Sequence, residues 1–393
     1  MHANSPKMLL IQLFKLVQQL LGIIYTHAFG LNTFNVNLLG RGFTKHWQLG
    51  IIMTRLVPAL LSSTLLYFIL ATSSIAAPTD EIVQKISAHV VKVQVSLENG
   101  SYGLGSGVVI AKDQVVTNCH VVAGAVSVSV NSKGENYKAS ALKPDWHHDL
   151  CILTVTGLNA PIAPIGSSEK LKYEQPVYTV GFATSSPRPN GIYGFVKGLY
   201  PMDNSVVIRA SNAFRMGDSG GGMFDDAGNL VGIVTVKSPG HHAFYYNMPV
   251  EWVQALVNKP EQPIIGKSEL PFWAQSHDKW PFFMQIVQPL KMEDWATLES
   301  IATDWAEKEP HSTEAVFYRA VAEFSLQNTA QAELHLNQVV TSNSNHSSAL
   351  YYLGIIAEQN GKHTEALNLV AALDVLDVIE ANNLKLAMGI ATD

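Results

Sequence analysis

Three residues of the chain have the types and surroundings that nucleophilic catalysis requires: His120, Asp149 and Ser219. A serine hydroxyl is a weak nucleophile, so an imidazole has to remove its proton as it attacks. A histidine suits this task because it gains and loses its proton near neutral pH. A carboxylate placed against the second ring nitrogen would fix the tautomer and stabilise the imidazolium. The sequence therefore predicts that these three residues act together as base, orienting acid and nucleophile.

Each of these residues stands in a short motif. The histidine lies in Thr117-Asn-Cys-His-Val121, the aspartate in His148-Asp-Leu-Cys-Ile-Leu153 and the serine in Gly217-Asp-Ser-Gly-Gly221, with separations of 29 and 70 residues. A further motif, Gly105-Ser-Gly-Val-Val-Ile110, precedes the histidine. The motifs, their order and their spacing resemble the trypsin-chymotrypsin superfamily, and within it most of all the high-temperature-requirement (Deg-type) bacterial proteases.

The resemblance covers about residues 81–257 and has several implications. It implies a mainly β protease domain built from two six-stranded antiparallel β-barrels. It also implies a serine endopeptidase that hydrolyses protein or peptide substrates without a metal or an organic cofactor. Two other classes stay open: a catalytically silent peptide-binding scaffold, and an esterase that uses the same three residues.

The resemblance also assigns residues that contact substrate. The backbone N–H groups of Gly217 and Ser219 would form the oxyanion hole, and Ala213, six residues before the serine, would form the floor of the specificity pocket. An uncharged floor favours a small or medium apolar residue before the scissile bond. Further contacts are expected from Phe214 to Met216 and from the strand residues Thr235, Val236 and Lys237, which would pair with substrate backbone.

Two residues depart from the Deg-type pattern: Asp218 stands where asparagine is usual, and Gly222 where proline is usual. The aspartate is the form found in digestive enzymes, where it pairs with a new N-terminal amine. No Ile-Val-Gly-Gly start occurs in this sequence, so that activation mechanism is not expected. Asp218 would instead pair with Arg215, its nearest cation in sequence, or remain solvated.

The only two cysteines flank the predicted catalytic residues. Cys119 precedes His120 and Cys151 follows Asp149 by two positions. If His120 and Asp149 touch, the cysteines could approach disulfide distance. The alternative is a pair of small buried apolar residues. Two cysteines in so long a chain exclude a disulfide-rich scaffold.

Short β-type runs separated by glycine-containing turns fill residues 90–248. Residues 91–95 and 126–130 alternate strictly between apolar and polar side chains. A helix is predicted at residues 250–257. This pattern indicates a barrel or sandwich, and we expect the protease domain over residues 78–258. Further runs are predicted at 107–110, 151–155, 177–181, 206–209, 230–236 and 243–248.

The C-terminal part changes to a helical pattern. After a linker at 259–279, an internal offset of 34 residues aligns Tyr318 with Tyr352 and Ala332 with Ala366. Residues 351–354, with the following Asn-Gly and Glu-Ala pairs, resemble a tetratricopeptide repeat. We therefore predict an all-α, tetratricopeptide-like domain over 280–393. It would bind a protein partner or regulate the protease. It could also lean on the protease domain, because a few repeats rarely bury a core alone.

The N-terminal region predicts where the protein is located. Residues 1–77 read as a targeting region, with a signal peptide at 53–77 and cleavage after Ala76 or Ala77. Export to the periplasm or outside the cell is expected, with a membrane anchor as the alternative.

A net charge of −6 without a basic run argues against a nucleic-acid partner. No metal site is predicted: His147 and His148 are interpreted as surface residues, and His241-His242 lacks nearby partners.

Overall fold

A computed structural model of the chain describes residues 80–184, 186–240, 243–265 and 268–392. The predicted targeting region and signal peptide lie outside these residues, as do His241 and His242. The β-rich part contains these strands: β1 Val90–Leu97, β2 Tyr102–Ala111, β3 Gln114–Thr117, β4 Ala125–Ser132, β5 Glu135–Lys138, β6 Ala141–Asp145, β7 Leu150–Thr154, β8 Pro176–Gly181, β9 Asn190–Met202, β10 Ser205–Ala210, β11 Gly222–Phe224, β12 Leu230–Lys237 and β13 Tyr245–Pro249.

Strands β1 to β7 form one antiparallel sheet in the order β5-β4-β1-β2-β3-β7-β6. Its alternating sequence explains its packing, since Val91, Val93 and Val95 of β1 point inward while Lys92 and Gln94 are half-buried. The first of the two expected barrels is therefore a seven-stranded sheet whose edges are β5 and β6. The remaining six strands close into a barrel in the order β10-β13-β12-β11-β8-β9. The mainly β fold class is thus confirmed.

Helices follow the barrel and make up most of the C-terminal part. In the β-rich part α1 spans Asp80–Ser87, α2 spans Cys119–Val122 and α3 spans Val250–Leu256, as predicted for the last of these. The C-terminal helices are α4 Phe282–Gln285, α5 Val287–Lys291, α6 Trp295–Lys308, α7 Thr313–Ser325, α8 Thr329–Ser342, α9 Ser347–Gln359, α10 His363–Leu376 and α11 Val378–Ala387. We call residues 80–256 the β region and residues 282–387 the helical region.

The helical region shows the internal period that the sequence indicates. Helices α7 and α9 begin at Thr313 and Ser347, and α8 and α10 begin at Thr329 and His363. Both pairs are 34 residues apart, equal to the offset seen in the sequence. Before these pairs, the helical region consists of the two short helices α4 and α5 followed by α6. The region is therefore a helical repeat, while its membership of the tetratricopeptide family stays a prediction.

The helical region packs directly on the closed barrel. Tyr200 of β9 stacks on Phe283 with ring centroids 4.6 Å apart. The ring of Trp305 in α6 also packs near Tyr200, with centroids 6.3 Å apart. One apolar core runs through both regions. At its edge Lys197 of β9 contacts Asp377 at 2.6 Å. The helical region thus shares its core with the β region.

The segment between the two regions is also packed. Gln262 pairs with Leu142 of β6 through two backbone hydrogen bonds, and the N–H of Phe272 donates to the carbonyl of His147 at 3.0 Å. Phe272 is buried. The described parts of this segment, 258–265 and 268–281, therefore contact the β region at β6 and at the loop before β7. Within the described ranges, no helix combines the length and apolar character that crossing a bilayer requires.

Candidate active site

His120 and Asp149 are in direct contact. Nδ1 of His120 lies 2.5 Å from Oδ2 of Asp149, and the backbone N–H of His120 donates to Oδ1 at 2.8 Å. The Asp149 side chain is fully buried, whereas the imidazole is about one-third exposed. Both carboxylate oxygens therefore hold the histidine, and the second ring nitrogen is left to face the cleft.

Strand ends and a disulfide position this pair. His120 is the second residue of the short helix α2, which follows β3, and Asp149 precedes β7, the neighbour of β3 in the sheet. The Asn118 side chain donates to the Asp149 carbonyl at 2.9 Å. Cys119 and Cys151 are joined in a disulfide, so of the two alternatives for the cysteines the structure has the covalent one. The bond links the backbone segments that carry the imidazole and the carboxylate.

Ser219 lines the same cleft as His120. The cleft has a volume of about 470 Å³ and lies between the seven-stranded sheet and the barrel. The Ser219 hydroxyl donates to the carbonyl of Thr235 at 3.4 Å. In the part of the chain that the structure describes, it makes no hydrogen bond to His120. Catalytic hydrogen bonds are often long or absent without substrate, so a rotation of the hydroxyl towards the imidazole remains compatible with this arrangement.

The peptide unit before Gly217 is oriented as an oxyanion hole requires. The Met216 carbonyl accepts hydrogen bonds from the N–H and the hydroxyl of Thr184, both at 2.9 Å, and so turns away from the cleft. Gly217 has φ +97°, and a Cβ there would lie 2.5 Å from the Phe182 carbonyl oxygen. Only glycine fits this conformation. Over the described residues, the N–H groups of Gly217 and Ser219 have no acceptor, so both are available to a ligand.

Ser106, from the motif upstream of the histidine, holds the loop that carries Ser219. Its hydroxyl donates to the Gly217 carbonyl at 2.8 Å, and its N–H donates to the Ser219 carbonyl at 2.8 Å. Gly220 has φ +85° and packs so closely on the Ser106 carbonyl that a side chain would collide with it. A β2 residue of the sheet therefore fixes a barrel loop at the cleft.

Asp218 is neither paired with a cationic side chain by a hydrogen bond nor solvated. Its Oδ2 accepts from the backbone N–H of Arg215 at 2.7 Å, and its buried Oδ1 has no partner among the described residues. Burial raises the pKa of Asp218, and the Arg215 N–H offsets this only in part. The expected partner is thus the right residue, but it binds through its backbone.

Of the residues predicted to contact substrate, Phe214 and the three residues of β12 line the cleft, whereas Ala213 does not. Phe214 is buried, lines the cleft and packs edge-on against Tyr245 at 5.1 Å. Ala213 is exposed and is not part of the lining, so the geometry gives the apolar surface to Phe214 rather than to the predicted floor residue. Thr235, Val236 and Lys237 line the cleft at the end of β12.

The end of β12 has one unpaired edge. On one side Val236 and Lys237 pair with β13. On the other side, within the described residues, the backbone hydrogen bonds from β12 to the Ser219 loop and β11 end at Val234, and the Thr235 carbonyl accepts from the Ser219 hydroxyl. An extended peptide could therefore add to this edge next to Ser219.

Trp273 is a cleft residue that the sequence analysis misses. Its indole N–H donates to Oδ2 of Asp149 at 3.2 Å, and its ring lies edge-on to His120 with centroids 5.6 Å apart. It comes from the segment between the β region and the helical region, 124 residues from Asp149. A lone tryptophan in a linker gives no local signal of this contact.

Comparison with known proteins gives one family match. Residues 105–233 match the trypsin-like peptidase domain, and this range includes His120, Asp149 and Ser219. Curated relatives described as probable periplasmic serine endoprotease DegP-like include one from Halomonas elongata, 33% identical over 157 residues, and one from Pseudomonas putida, 34% identical over 156 residues. Each alignment covers 38% of this chain and 33% of the relative. The chain thus spans about one-third of the length of these curated relatives.

Two solved structures are less similar in sequence to the chain than these curated relatives are. The active form of Rv3671c protease from M. tuberculosis aligns with a TM-score of 0.44 and 23% identity, covering 49% of this chain and 92% of that one. The HtrA-type protease AlgW with a tripeptide aligns with a TM-score of 0.42 and 23% identity, covering 46% and 64%. The family match and the curated relatives together show that residues 105–233 match a trypsin-like peptidase domain and are similar to DegP-like serine endoproteases, and a helical region follows this part of the chain.

Proposed function

We propose that the chain is a serine endopeptidase in which Ser219 is the nucleophile, His120 the general base and Asp149 the residue that orients the base. The observation that carries this proposal is the 2.5 Å contact between His120 Nδ1 and Asp149 Oδ2, which directs the imidazole into the cleft that Ser219 lines. The free N–H groups of Gly217 and Ser219 supply the second requirement, a site for a developing oxyanion.

The reaction follows from these positions. The Ser219 hydroxyl turns from Thr235 to His120, which takes its proton as Oγ bonds to the substrate carbonyl carbon. The N–H groups of Gly217 and Ser219 stabilise the negative oxygen. His120 then gives its proton to the leaving amine, the C–N bond breaks, and an acyl-enzyme remains. Water, deprotonated by His120, releases the acid and restores Ser219.

The substrate is an extended, unfolded or exported protein segment. Its backbone adds to the open edge at Thr235, Val236 and Lys237, and the residue before the scissile bond is small or medium and apolar. Phe214 supports this preference, because its buried ring gives the cleft apolar surface near Ser219. The relatives' description as periplasmic supports export, with cleavage after Ala76 or Ala77.

The helical region is proposed to regulate the protease domain or to bind a protein partner. Its contact with β9 and the approach of residues 258–281 to the cleft support regulation. The domain limits at 78–258 and 280–393 belong to the same proposal. Removal of residues after 258 would change activity under this view.

A catalytically silent peptide-binding scaffold is the second candidate. It is favoured by one observation, the hydrogen bond from the Ser219 hydroxyl to Thr235 rather than to His120. A scaffold would keep the open β12 edge and bind peptides, but it would not cut them.

Cleavage of peptides by the full chain distinguishes the two candidates. A panel of fluorogenic peptides that differ only in the residue before the scissile bond should be hydrolysed fastest after small or medium apolar residues, and Ser219→Ala should abolish cleavage. Fastest cleavage after arginine would contradict the specificity. Peptide binding without cleavage by either protein would favour the scaffold.

A further inference from the structure

A cluster of metal-ligating side chains lies outside the proposed catalytic group. It consists of His147, His148 and Asp203, whose ligand atoms all lie within 4.8 Å of one another. Oδ2 of Asp203 is 3.4 Å from His147 Nε2 and 3.0 Å from His148 Nε2. The two histidines precede β7 of the seven-stranded sheet, whereas Asp203 belongs to the barrel. The cluster therefore joins the two halves of the β region.

His148 is held in the orientation that metal-binding histidines adopt. Its Nδ1 lies 2.7 Å from Oδ2 of Asp145, and its ring stacks on Trp252 with centroids 3.8 Å apart. The side chain is only 15% exposed. In metal sites the ring nitrogen that does not bind the ion is usually held by a carboxylate or carbonyl, which fixes the tautomer and the ring orientation. Asp145 fulfils this role and directs Nε2 of His148 at Asp203.

The backbone of Asp203 is fixed as well. It occupies the two-residue turn between β9 and β10, where Asp203 and Asn204 have φ +44° and +60°, as a tight hairpin turn of this length requires. Its carbonyl accepts from the indole N–H of Trp252 at 3.1 Å. The same tryptophan therefore holds both Asp203 and His148. The side chains of His147 and Asp203, which are 57% and 51% exposed, have room to adjust to an ion.

The spacing and chemistry of the three groups fit one class of ion. In a tetrahedral zinc site with bonds of about 2.0–2.1 Å, neighbouring ligand atoms are ~3.3 Å apart. The two distances to Asp203 Oδ2, 3.4 Å and 3.0 Å, are close to this value. Two imidazoles and one carboxylate suit zinc and its borderline-soft neighbours better than Mg²⁺ or Ca²⁺, which prefer sites made of oxygen ligands only.

We propose that His147, His148 and Asp203 form a zinc-type site that leaves the fourth coordination position to water. The ion clamps the loop before β7 to the β9–β10 hairpin. This loop also carries Asp149, and its His147 carbonyl accepts the N–H of Phe272. The site does not depend on the proposed peptidase activity, because its ligands are separate from His120, Asp149 and Ser219.

Calorimetric titration of the full mature chain with ZnCl₂, after removal of metals with a chelator, tests the site directly. We expect one bound Zn²⁺ per chain and a higher Tm in its presence, because a ligand that binds only the folded state stabilises it. His147→Gln and Asp203→Asn should each weaken binding by at least ~10-fold, and Asp145→Asn by roughly 10- to 100-fold, the range seen when a residue supporting a ligand is lost. Co²⁺ should bind at the same position with the visible absorption of a four-coordinate ion.

His363→Gln is the matched control, because His363 of α10 forms an exposed pair with Glu358 of α9 at 2.8 Å but belongs to no cluster of three metal-ligating side chains within the described residues. This variant should bind Zn²⁺ as the wild type does. Metal-free melting curves of all variants establish that each one folds. The proposal is overturned if the wild type binds no Zn²⁺, or if His147→Gln and Asp203→Asn both fold and bind as tightly as the wild type.

Discussion

The β region and the helical region both bury polar side chains, but they place them differently. In the β region several of these groups lie at the cleft, where Asn118 and Ser106 hold the backbone around Asp149 and Ser219. In the helical region one such group lies at the contact with the barrel, where Glu314 lies between His346 and Tyr173. Buried polar groups are costly unless paired, so their positions mark where each region needs a defined geometry. In the β region these groups shape the cleft, and in the helical region Glu314 fixes the contact with the barrel.

The segment between the two regions, residues 258–281, belongs to neither of them. This segment carries an indole that reaches Asp149, so the cleft is completed from outside the matched peptidase domain. The helical region anchors the end of the same segment through Phe283, which stacks on Tyr200. The contact between the helical region and the barrel is thereby connected to the proposed catalytic residues through one short stretch of chain.

The largest effect is expected from Asp149→Asn. Asparagine keeps the shape but removes the charge that fixes the tautomer of His120, and such a change lowers kcat by roughly 10⁴-fold in enzymes of this mechanism. Hydrolysis of a fluorogenic peptide measures this loss, and the melting curve shows whether the variant folds. A folded variant that retains more than about one-tenth of the wild-type kcat would contradict the role of Asp149.

Trp273→Phe should have the next largest effect. Phenylalanine keeps the aromatic ring beside His120 but lacks the N–H that donates to Asp149. A hydrogen bond to a charged group contributes about 1.5–3 kcal/mol, so we expect kcat to fall by roughly 10-fold while KM stays near its wild-type value.

Trp280→Phe is the control for this variant, because the Trp280 indole donates to the carbonyl of Gln275 within the same segment. It should leave kcat unchanged. An unchanged kcat in Trp273→Phe, or a loss confined to KM, would show that the indole does not position Asp149. The far-downfield proton resonance of the His120–Asp149 hydrogen bond offers a readout that is independent of hydrolysis, and it should shift only in Trp273→Phe.

Glu314→Ala should weaken docking of the helical region. Burial raises the pKa of a carboxyl, but at Glu314 the His346 hydrogen bond and the nearby cations outweigh burial and lower the pKa, so this residue is a paired anion. Its removal leaves His346 and Tyr173 buried without this partner, at a cost of about 1–3 kcal/mol. Hydrogen exchange should then increase both in α7 and in β9.

Glu323→Ala provides the contrast, because Glu323 is equally buried but pairs with Arg319 and His335 inside the helical region. Faster exchange should there be confined to α7 and α8. The same exchange pattern in both variants would mean that Glu314 has no special part in docking.

The smallest effect concerns pH and Asp218. Because burial raises the pKa of this carboxyl above its ordinary value of 3.8, the folded state keeps a proton that the unfolded state has already lost. This contribution to stability is present at low pH and is lost as pH rises through the window between the two pKa values. Asp218→Asn should therefore reduce the fall in Tm as pH rises above the ordinary value of 3.8, by a few degrees at most. An unchanged or steeper dependence would contradict this assignment.

Much of the fold follows from local sequence pattern. The strict alternation of residues 91–95 and 126–130 agrees with the inward valines of β1 and with buried Val128 and Val130 of β4. The sequence period of 34 equals the spacing of α7 and α9 and of α8 and α10. The three motifs likewise identify the cleft, because glycine at 217 and 220 is required by the backbone there. Such features depend on neighbours in sequence, and a single sequence reveals them.

Other features depend on contacts between distant residues and leave no local pattern. Strand β9 is missed because glycines interrupt its apolar alternation. Gly194 is needed because a Cβ would lie 2.6 Å from the Asn212 side chain, which donates to the carbonyl of Ile192. Trp273 and Asp203 are similar cases, since each reaches the region around Asp149 from a separate part of the chain.

Reaction with a fluorophosphonate, followed by peptide mapping, tests the central claim most directly. An activated serine attacks the phosphorus and keeps a stable adduct, while ordinary serines react far more slowly. We predict a single adduct, on Ser219, that forms in the wild-type chain, is absent from Ser219→Ala and is greatly slowed in His120→Ala. A wild-type chain that folds but stays unmodified at Ser219, or one modified equally well without His120, would contradict the account.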